Sequence, residues 1–348
     1  MRIINTVATV AMMLSLLLPW PLQAFEKESE RLFQATATQR HVLKILSTTD
    51  LDYFEPLIAA YQQQYPTITV LYTVASSVEL YRAINDEAMD YDVVISSAMD
   101  LQMKLVNDGF AQQHRSAVVE ALPVWSRWGN SLFAFTQEPA VLLASRKGLG
   151  ELPVPNNRNE LIALLRDNPE RFNERIGTYD IRTSGAGYLF ATQDSRQSDA
   201  FWRLAEVIGS TSPRLYCCSS DMIEALRSGE IVFAYNVVGS YASAVLDNSE
   251  DGMVVPLTDY QIFMLRTALI PKTSGNAPQA GTFIDFLADA NNRELIGEKV
   301  GLPPVDGQAL QKHQHFRPIS LGPGLLVYLD RIKRKQFIKA WSDAVLQP

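Results

Sequence analysis

The chain has 348 residues, a formal net charge of −7, four histidines and two cysteines. An acidic balance without a Lys/Arg-rich tail excludes nucleic acid as an expected partner, and two cysteines exclude a disulfide scaffold. The length exceeds the roughly 250 to 300 residues that a single hydrophobic core supports, so two lobes are expected.

Taken in chain order, Arg2 precedes an uncharged apolar run from Val7 to Leu18, then Pro19-Trp20-Pro21, then Leu22-Gln23-Ala24 with a small residue for cleavage. This is the pattern of a secretory signal peptide over 1–24. The run is about 12 residues long, short of the roughly 20 a spanning helix needs, and no cysteine follows it to carry a lipid. The mature chain is therefore expected to start near Phe25, to work in the periplasm without cytoplasmic ATP or NADH, and not to span the membrane once the signal is cleaved. Phe25 to Arg40 is polar with a few apolar residues and reads as a leader helix or a loose N-terminal arm over 25–40.

From His41 a strand–helix pattern repeats. His41 to Leu46 predicts a strand, Thr48-Thr49-Asp50 a cap, and Leu51 to Tyr65 a helix with Phe54, Leu57, Ile58 and Tyr61 on one face, stopped by Pro66. Ile68 to Val74, Ser76-Ser77 and Val78 to Asp86 repeat the unit. Tyr91 to Ile95, Ser96-Ser97 and Met99 to Asp108 repeat it again. Ala140 to Ser145 predicts a short strand and Asn159 to Arg166 a helix. Thr183-Ser184-Gly185 caps a helix from Ala186 to Gln193, and Phe201 to Ile208 and Asp221 to Ser228 follow as helices. Ile231 to Tyr235 predicts a strand, Gly239 to Leu246 a helix, Thr267 to Pro271 a further strand and Gln279 to Asp289 another helix. The alternation predicts an α/β fold of two lobes, 41–142 plus 263–348 and 143–262, each a mostly parallel sheet flanked by helices, with a ligand cleft between them. In the C-terminal segment Leu325, Leu329, Ile332, Phe337 and Trp341 are expected to face a core, leaving Arg331, Lys333, Arg334, Lys335 and Lys339 on a solvated face.

Cys217 and Cys218 are adjacent. Neighbouring Cα atoms lie about 3.8 Å apart, below the roughly 4.4 Å an unstrained disulfide needs, so two thiols at a strand end are expected rather than a staple. His313 and His315 lack further ligand residues at metal spacing, so neither a resident metal nor a cofactor is expected. No Gly-x-Ser-x-Gly, His-Glu-x-x-His, phosphate-binding or dinucleotide-binding loop occurs, which leaves an enzyme without a nameable nucleophile or base.

Hydroxyl and acidic residues stand at successive strand ends, just before helices. An open sheet gathers such positions at its carboxyl edge, where ligands bind, and converging helix N-termini offer unpaired N–H groups to an anion.

The order and spacing of several stretches resemble the class II periplasmic solute-binding proteins of ABC importers, of the iron and thiamine type. They are Thr48-Thr-Asp50 with the helix ending at Tyr65-Pro66, Tyr91-Asp-Val-Val-Ile-Ser-Ser97, Leu226-Arg-Ser-Gly-Glu230 and Phe283-Ile-Asp-Phe-Leu287. Gly177-Thr-Tyr-Asp180, Ser184 to Asp194, Arg214 to Ser220, Ala234 to Ala242 and Pro323 to Asp330 are most similar to the phosphoglycerate transport regulatory group within it. The resemblance implies a monomeric carrier of a small anionic metabolite, phosphorylated or carboxylated, whose partner is an ABC permease or the ectodomain of an inner-membrane sensor kinase. The ferric members of the family carry paired tyrosines at the hinge and a first-lobe histidine or glutamate. Here Asn236 to Tyr241 holds one tyrosine and Thr48-Thr49-Asp50 replaces the histidine, which disfavours iron.

The expected first rim is Thr48, Thr49, Asp50, Ser76, Ser77, Ser96 and Ser97; the opposing rim is Thr183, Ser184, Gly185, Tyr235, Asn236 and Tyr241. Arg182 is the first choice for a guanidinium on an anion, ahead of Arg127 and Arg266. Trp125, Trp128, Tyr179 and Tyr188 could stack on a ligand but are more often core. The alternatives are a kinase-accessory sensor without transport, a ferric-iron carrier and, last, a secreted hydrolase acting through Ser184 or Asp50.

Overall fold

A computed structural model describes residues 25–246, 251–292, 294–299 and 301–347; the expected signal peptide, 1–24, lies outside the described residues. The first half is built from β1 (Ser29–Phe33), β2 (His41–Ser47), α1 (Leu51–Gln64), β3 (Ile68–Val74), α2 (Ser77–Asn85), β4 (Val93–Ser96) and α3 (Met99–Asn107). In α1 the residues Phe54, Leu57, Ile58 and Tyr61 recur at helical spacing and are fully buried. They meet Leu43, Ile45, Val70, Tyr72 and, from further along the chain, Phe283 in one core. The N-terminal arm is neither helix nor loose: β1 pairs antiparallel with β3, from Ser29 opposite Val74 to Phe33 opposite Val70. β3 is almost wholly buried and would otherwise present an open edge, and a short charged strand covers such an edge whatever its own helix propensity.

After β5 (Arg127–Trp128) comes β6 (Leu132–Ala144), of which the expected strand at 140–145 is only the second part. The second half then holds α4 (Arg158–Asp167), β7 (Ile176–Tyr179), α5 (Gly185–Asp194), α6 (Ala200–Gly209), β8 (Arg214–Tyr216), α7 (Ser219–Arg227), β9 (Phe233–Val238), α8 (Gly239–Leu246) and β10 (Met253–Val255). The chain returns through β11 (Gln261–Leu269), α9 (Ala277–Ala288), β12 (Phe316–Pro318) and α10 (Arg331–Val345).

The strand order β1-β3-β2-β4-β11-β6-β9-β7-β8 runs through both halves because β6 belongs to both. Its first part pairs antiparallel with β11 and Ala140 to Ala144 pair antiparallel with β9. The parallel strands expected from strand–helix alternation run as β3-β2-β4 in one half and β9-β7-β8 in the other, the latter ending at the sheet edge. Antiparallel β6 and β11 join them because the chain crosses between lobes directly, with no helix in the crossing.

The C-terminal helix α10, expected with the first lobe, packs on the second. Phe337, Trp341 and Val345 share a core with Phe201 and Ala205 of α6 and with Tyr188 of α5. Ile332, expected to be buried, is 65% exposed. An amphipathic pattern shows that a face is buried but not against which partner.

Candidate functional site

Five helices of eight or more residues begin at one cleft between the halves. α1 starts after Asp50, α2 after Ser76, α3 just beyond Ser97, α5 after Ser184 and α7 after Cys218. The cleft holds about 610 Å³ of atom-free space, its open mouth included, and is lined by Glu28, Thr48, Asp50, Ser76, Ser77, Ser97, Tyr179, Thr183, Ser184, Cys217, Cys218, Ser219, Ser220 and Tyr241. No Lys, Arg or His is among the described residues that line it.

The two rims touch. The Gly185 N–H donates to Ser77 Oγ at 3.0 Å, and Ser220 Oγ donates to Asp50 Oδ2 at 2.6 Å. Tyr53 of α1 meets Tyr241 edge to face at 4.5 Å between ring centres. Several hydroxyls also serve their own helices: Ser76 accepts from the Glu79 N–H and Ser184 from the Gly187 N–H. Thr48 accepts from the Ser97 N–H at 3.3 Å, linking the ends of β2 and β4. Tyr179 and Ser219 share a 2.6 Å hydrogen bond at the floor.

Tyr241 differs from these. Its side chain is 6% exposed and its buried hydroxyl has no hydrogen-bond partner. Burial pushes the phenol far above its usual range, outweighing the nearby Arg266. A buried hydroxyl left unpaired costs about 1–3 kcal/mol; that of Tyr241 lies near Thr49 and Arg266. Glu28 was not foreseen: burial raises its carboxyl, with Asp50 and Asp221 adding to the shift.

Several expected rim residues are turned away. Thr49 and Ser96 are buried and absent from the cleft lining, one position from Thr48 and Ser97, which line it. Thr49 Oγ1 accepts from Arg266 Nη1 at 2.7 Å, and Ser96 Oγ accepts from the Ala98 N–H. Tyr235 and Asn236 lie behind the cleft, where both donate to the buried Asp194. Arg158, with 1% of its side chain exposed, completes that network by bonding Tyr235, Asp194 and Asp259. Asn236 has φ of 65°, a left-handed backbone that Asn tolerates. Sequence carries no signal for this cluster, since its members are far apart along the chain.

The arginines expected to hold an anion do not reach the cleft. Arg182 forms a two-point pair with Asp180 at 2.8 and 2.6 Å on the surface. Arg266 is fully buried and grips Glu138 at 2.9 and 3.0 Å where β6 crosses between the halves. Thr136 and Ser240 also donate to Glu138. Arg127 is absent from the cleft lining. Trp125 and Trp128 pack against the core and Tyr188 is buried beside α10, its hydroxyl donating to the Tyr328 carbonyl. His313 and His315 pack against the Phe316 ring, the first tilted and the second edge-on, and neither lines the cleft. Cys217, Cys218, Ser219 and Ser220 place thiols and hydroxyls at a fifth strand end just before a helix, the same sequence signal that marks Ser76-Ser77.

A search of curated protein sequences finds no match. The family model for bacterial extracellular solute-binding proteins matches residues 45–301. Among solved structures, the substrate binding protein of an ABC transporter from Agrobacterium tumefaciens is 30% identical with a TM-score of 0.86, over 91% of this chain and 98% of that one. AfuA from Actinobacillus pleuropneumoniae, with fructose-6-phosphate bound, is 15% identical with a TM-score of 0.70 over 89% and 100%. Iron-bound HitA from Pseudomonas aeruginosa is 16% identical with a TM-score of 0.67 over 88% and 99%. These last two show the shared two-lobe fold alone. No helix among the described residues is long and apolar enough to cross a membrane. With three quarters of its length spanned by the family model and both lobes matched in the Agrobacterium structure, the chain belongs to the bacterial extracellular solute-binding proteins.

Proposed function

We propose that this chain is the cargo-capturing component of an ABC importer or of a membrane sensor, exported to the periplasm as a monomer. Its cargo is a small anionic metabolite, phosphorylated or carboxylated and carrying hydroxyls, as in a phosphoglycerate. The observation that carries the reading is the buried, unpaired Tyr241 hydroxyl among converging helix starts. With no basic side chain lining the cleft, the anionic group is held by O–H and N–H donors: Tyr241, Ser76, Ser77, Ser97, Thr183, Ser184 and the backbone at the helix starts. Thr48 lies beside them. Asp50 and Glu28, which only accept when ionised, call for hydroxyl donors on the same solute. AfuA, a neighbour of the same fold, carries a sugar phosphate. The ferric alternative is weaker, because the cleft offers Tyr241 and Tyr179 separately, the latter already bonded to Ser219.

A thermal-shift panel of 2- and 3-phosphoglycerate, phosphoenolpyruvate, dicarboxylates, thiamine and ferric citrate tests the assignment. A solute at 100 times its Kd stabilises the fold by about 2.7 kcal/mol, a shift of several degrees. The expected result is a rise in Tm with a hydroxylated phosphate or carboxylate and none with ferric citrate. The reverse pattern overturns it.

A further inference from the structure

The vicinal cysteines are not absorbed by the solute reading. Cys217 and Cys218 lie at the cleft rim with their sulfurs 3.0 Å apart, immediately before α7. Asp221, in the first turn of that helix, places its Oδ2 3.4 Å from one sulfur and 3.1 Å from the other. The three ligand-type atoms fall within 4.8 Å of one another, and both thiols line the open cleft. Every charged side chain that lines the cleft, Glu28 and Asp50, is acidic.

We infer that Cys217, Cys218 and Asp221 form a binding site for a thiophilic cation of the zinc class at the rim of the cleft. Two sulfurs and one carboxylate oxygen are three of the four ligands such an ion takes, and soft thiolates select it over calcium or magnesium. The fourth position faces the cleft, where water or an oxygen of a solute completes it. Binding releases the two thiol protons to solvent and parts the sulfurs to about 3.8 Å, the separation set by two Zn–S bonds of about 2.3 Å at a tetrahedral angle. The site rests on the thiol cluster alone and does not depend on the nature of the cargo.

The test uses the full mature chain, reduced under argon, with two free thiols confirmed by thiol titration before metal is added. Cd²⁺ serves as the spectroscopic probe and Zn²⁺ as its competitor. The expected result is a sulfur-to-cadmium charge-transfer band in the ultraviolet that saturates at one equivalent and is displaced by Zn²⁺. The band is lost in the C217S/C218S double variant, and D221N weakens Cd²⁺ by at least about tenfold. Circular dichroism of each variant checks that it is folded. The inference is overturned by a reduced protein that gives no band, by a band that survives in the double variant, or by a thiol pair that mild reduction cannot free. None of these outcomes bears on the phosphoglycerate panel, so the two readings fail separately.

Discussion

At the scale of single residues, the cleft is decided by which side of a strand end a hydroxyl occupies. Thr48 and Ser97 line it while their neighbours Thr49 and Ser96 are buried behind it. Sequence marked the pairs because hydroxyls before a helix are cap signals, but it could not choose within a pair without the register of the strand. The arginines illustrate the same limit. Arg182 sits two residues from Asp180, and the local ion pair wins over a distant ligand. For Tyr241, Y241F removes a buried hydroxyl that has no hydrogen-bond partner, so folding stability rises by up to about 1–3 kcal/mol. Binding of the cargo anion weakens by about 1.5–3 kcal/mol, roughly 10- to 150-fold, as titration calorimetry would read. Asp100 supplies a pH dependence. It is 3% exposed, and burial, only partly offset by the Leu101 N–H, pushes its carboxyl from an ordinary value of 3.8 up to about 7. The folded state therefore holds the proton more tightly than the unfolded chain. The stability this gives is fully present below the ordinary value and is lost as pH rises through about 7. D100N removes that decline, which chemical denaturation at pH 4 and pH 8 measures; an unchanged slope would refute the assignment.

Elements were more legible than side chains. The helices at 51–64, 77–85, 99–107, 185–194 and 277–288 follow from apolar periodicity and caps, within about two residues at each end. Several short strands escaped, and two longer stretches show why. β1 exists because β3 needs an edge partner, and the first part of β6 exists because β11 pairs with it; both are tertiary effects with no local pattern to reveal them. The start of α5 carries the next prediction, since it meets α2 across the cleft. A Cβ on Gly185 would stand 2.6 Å from Ser77 Oγ and 2.9 Å from Leu101 Cδ1. G185A therefore opposes closure by about 1–3 kcal/mol while leaving each half intact. Cargo affinity falls by about 5- to 150-fold and the Tm of the free protein changes little. A variant that binds as tightly as the parent would show that α2 and α5 do not approach in the bound state.

At the scale of the molecule, the halves are tied by β6, which serves both sheets, and by the buried Glu138–Arg266 pair at the crossing. That pair sits directly behind the cleft: Arg266 also holds Thr49, and its guanidinium lies 5.5 Å from the centre of the Tyr241 ring. A solute that bonds Ser77 or Asp50 on one side and Ser184 or Tyr241 on the other gains its full affinity only in the closed form, so it shifts the population toward closure. Two lobes were legible from length and alternation, but the placement of α10 on the second half was not, because the choice is made by Trp341 and Phe337 meeting α6. The most direct measurement is small-angle X-ray scattering of the mature chain with and without saturating 3-phosphoglycerate. The account predicts a smaller radius of gyration in the complex, with the compaction lost in G185A. An unchanged radius under conditions where calorimetry shows the solute bound would contradict it.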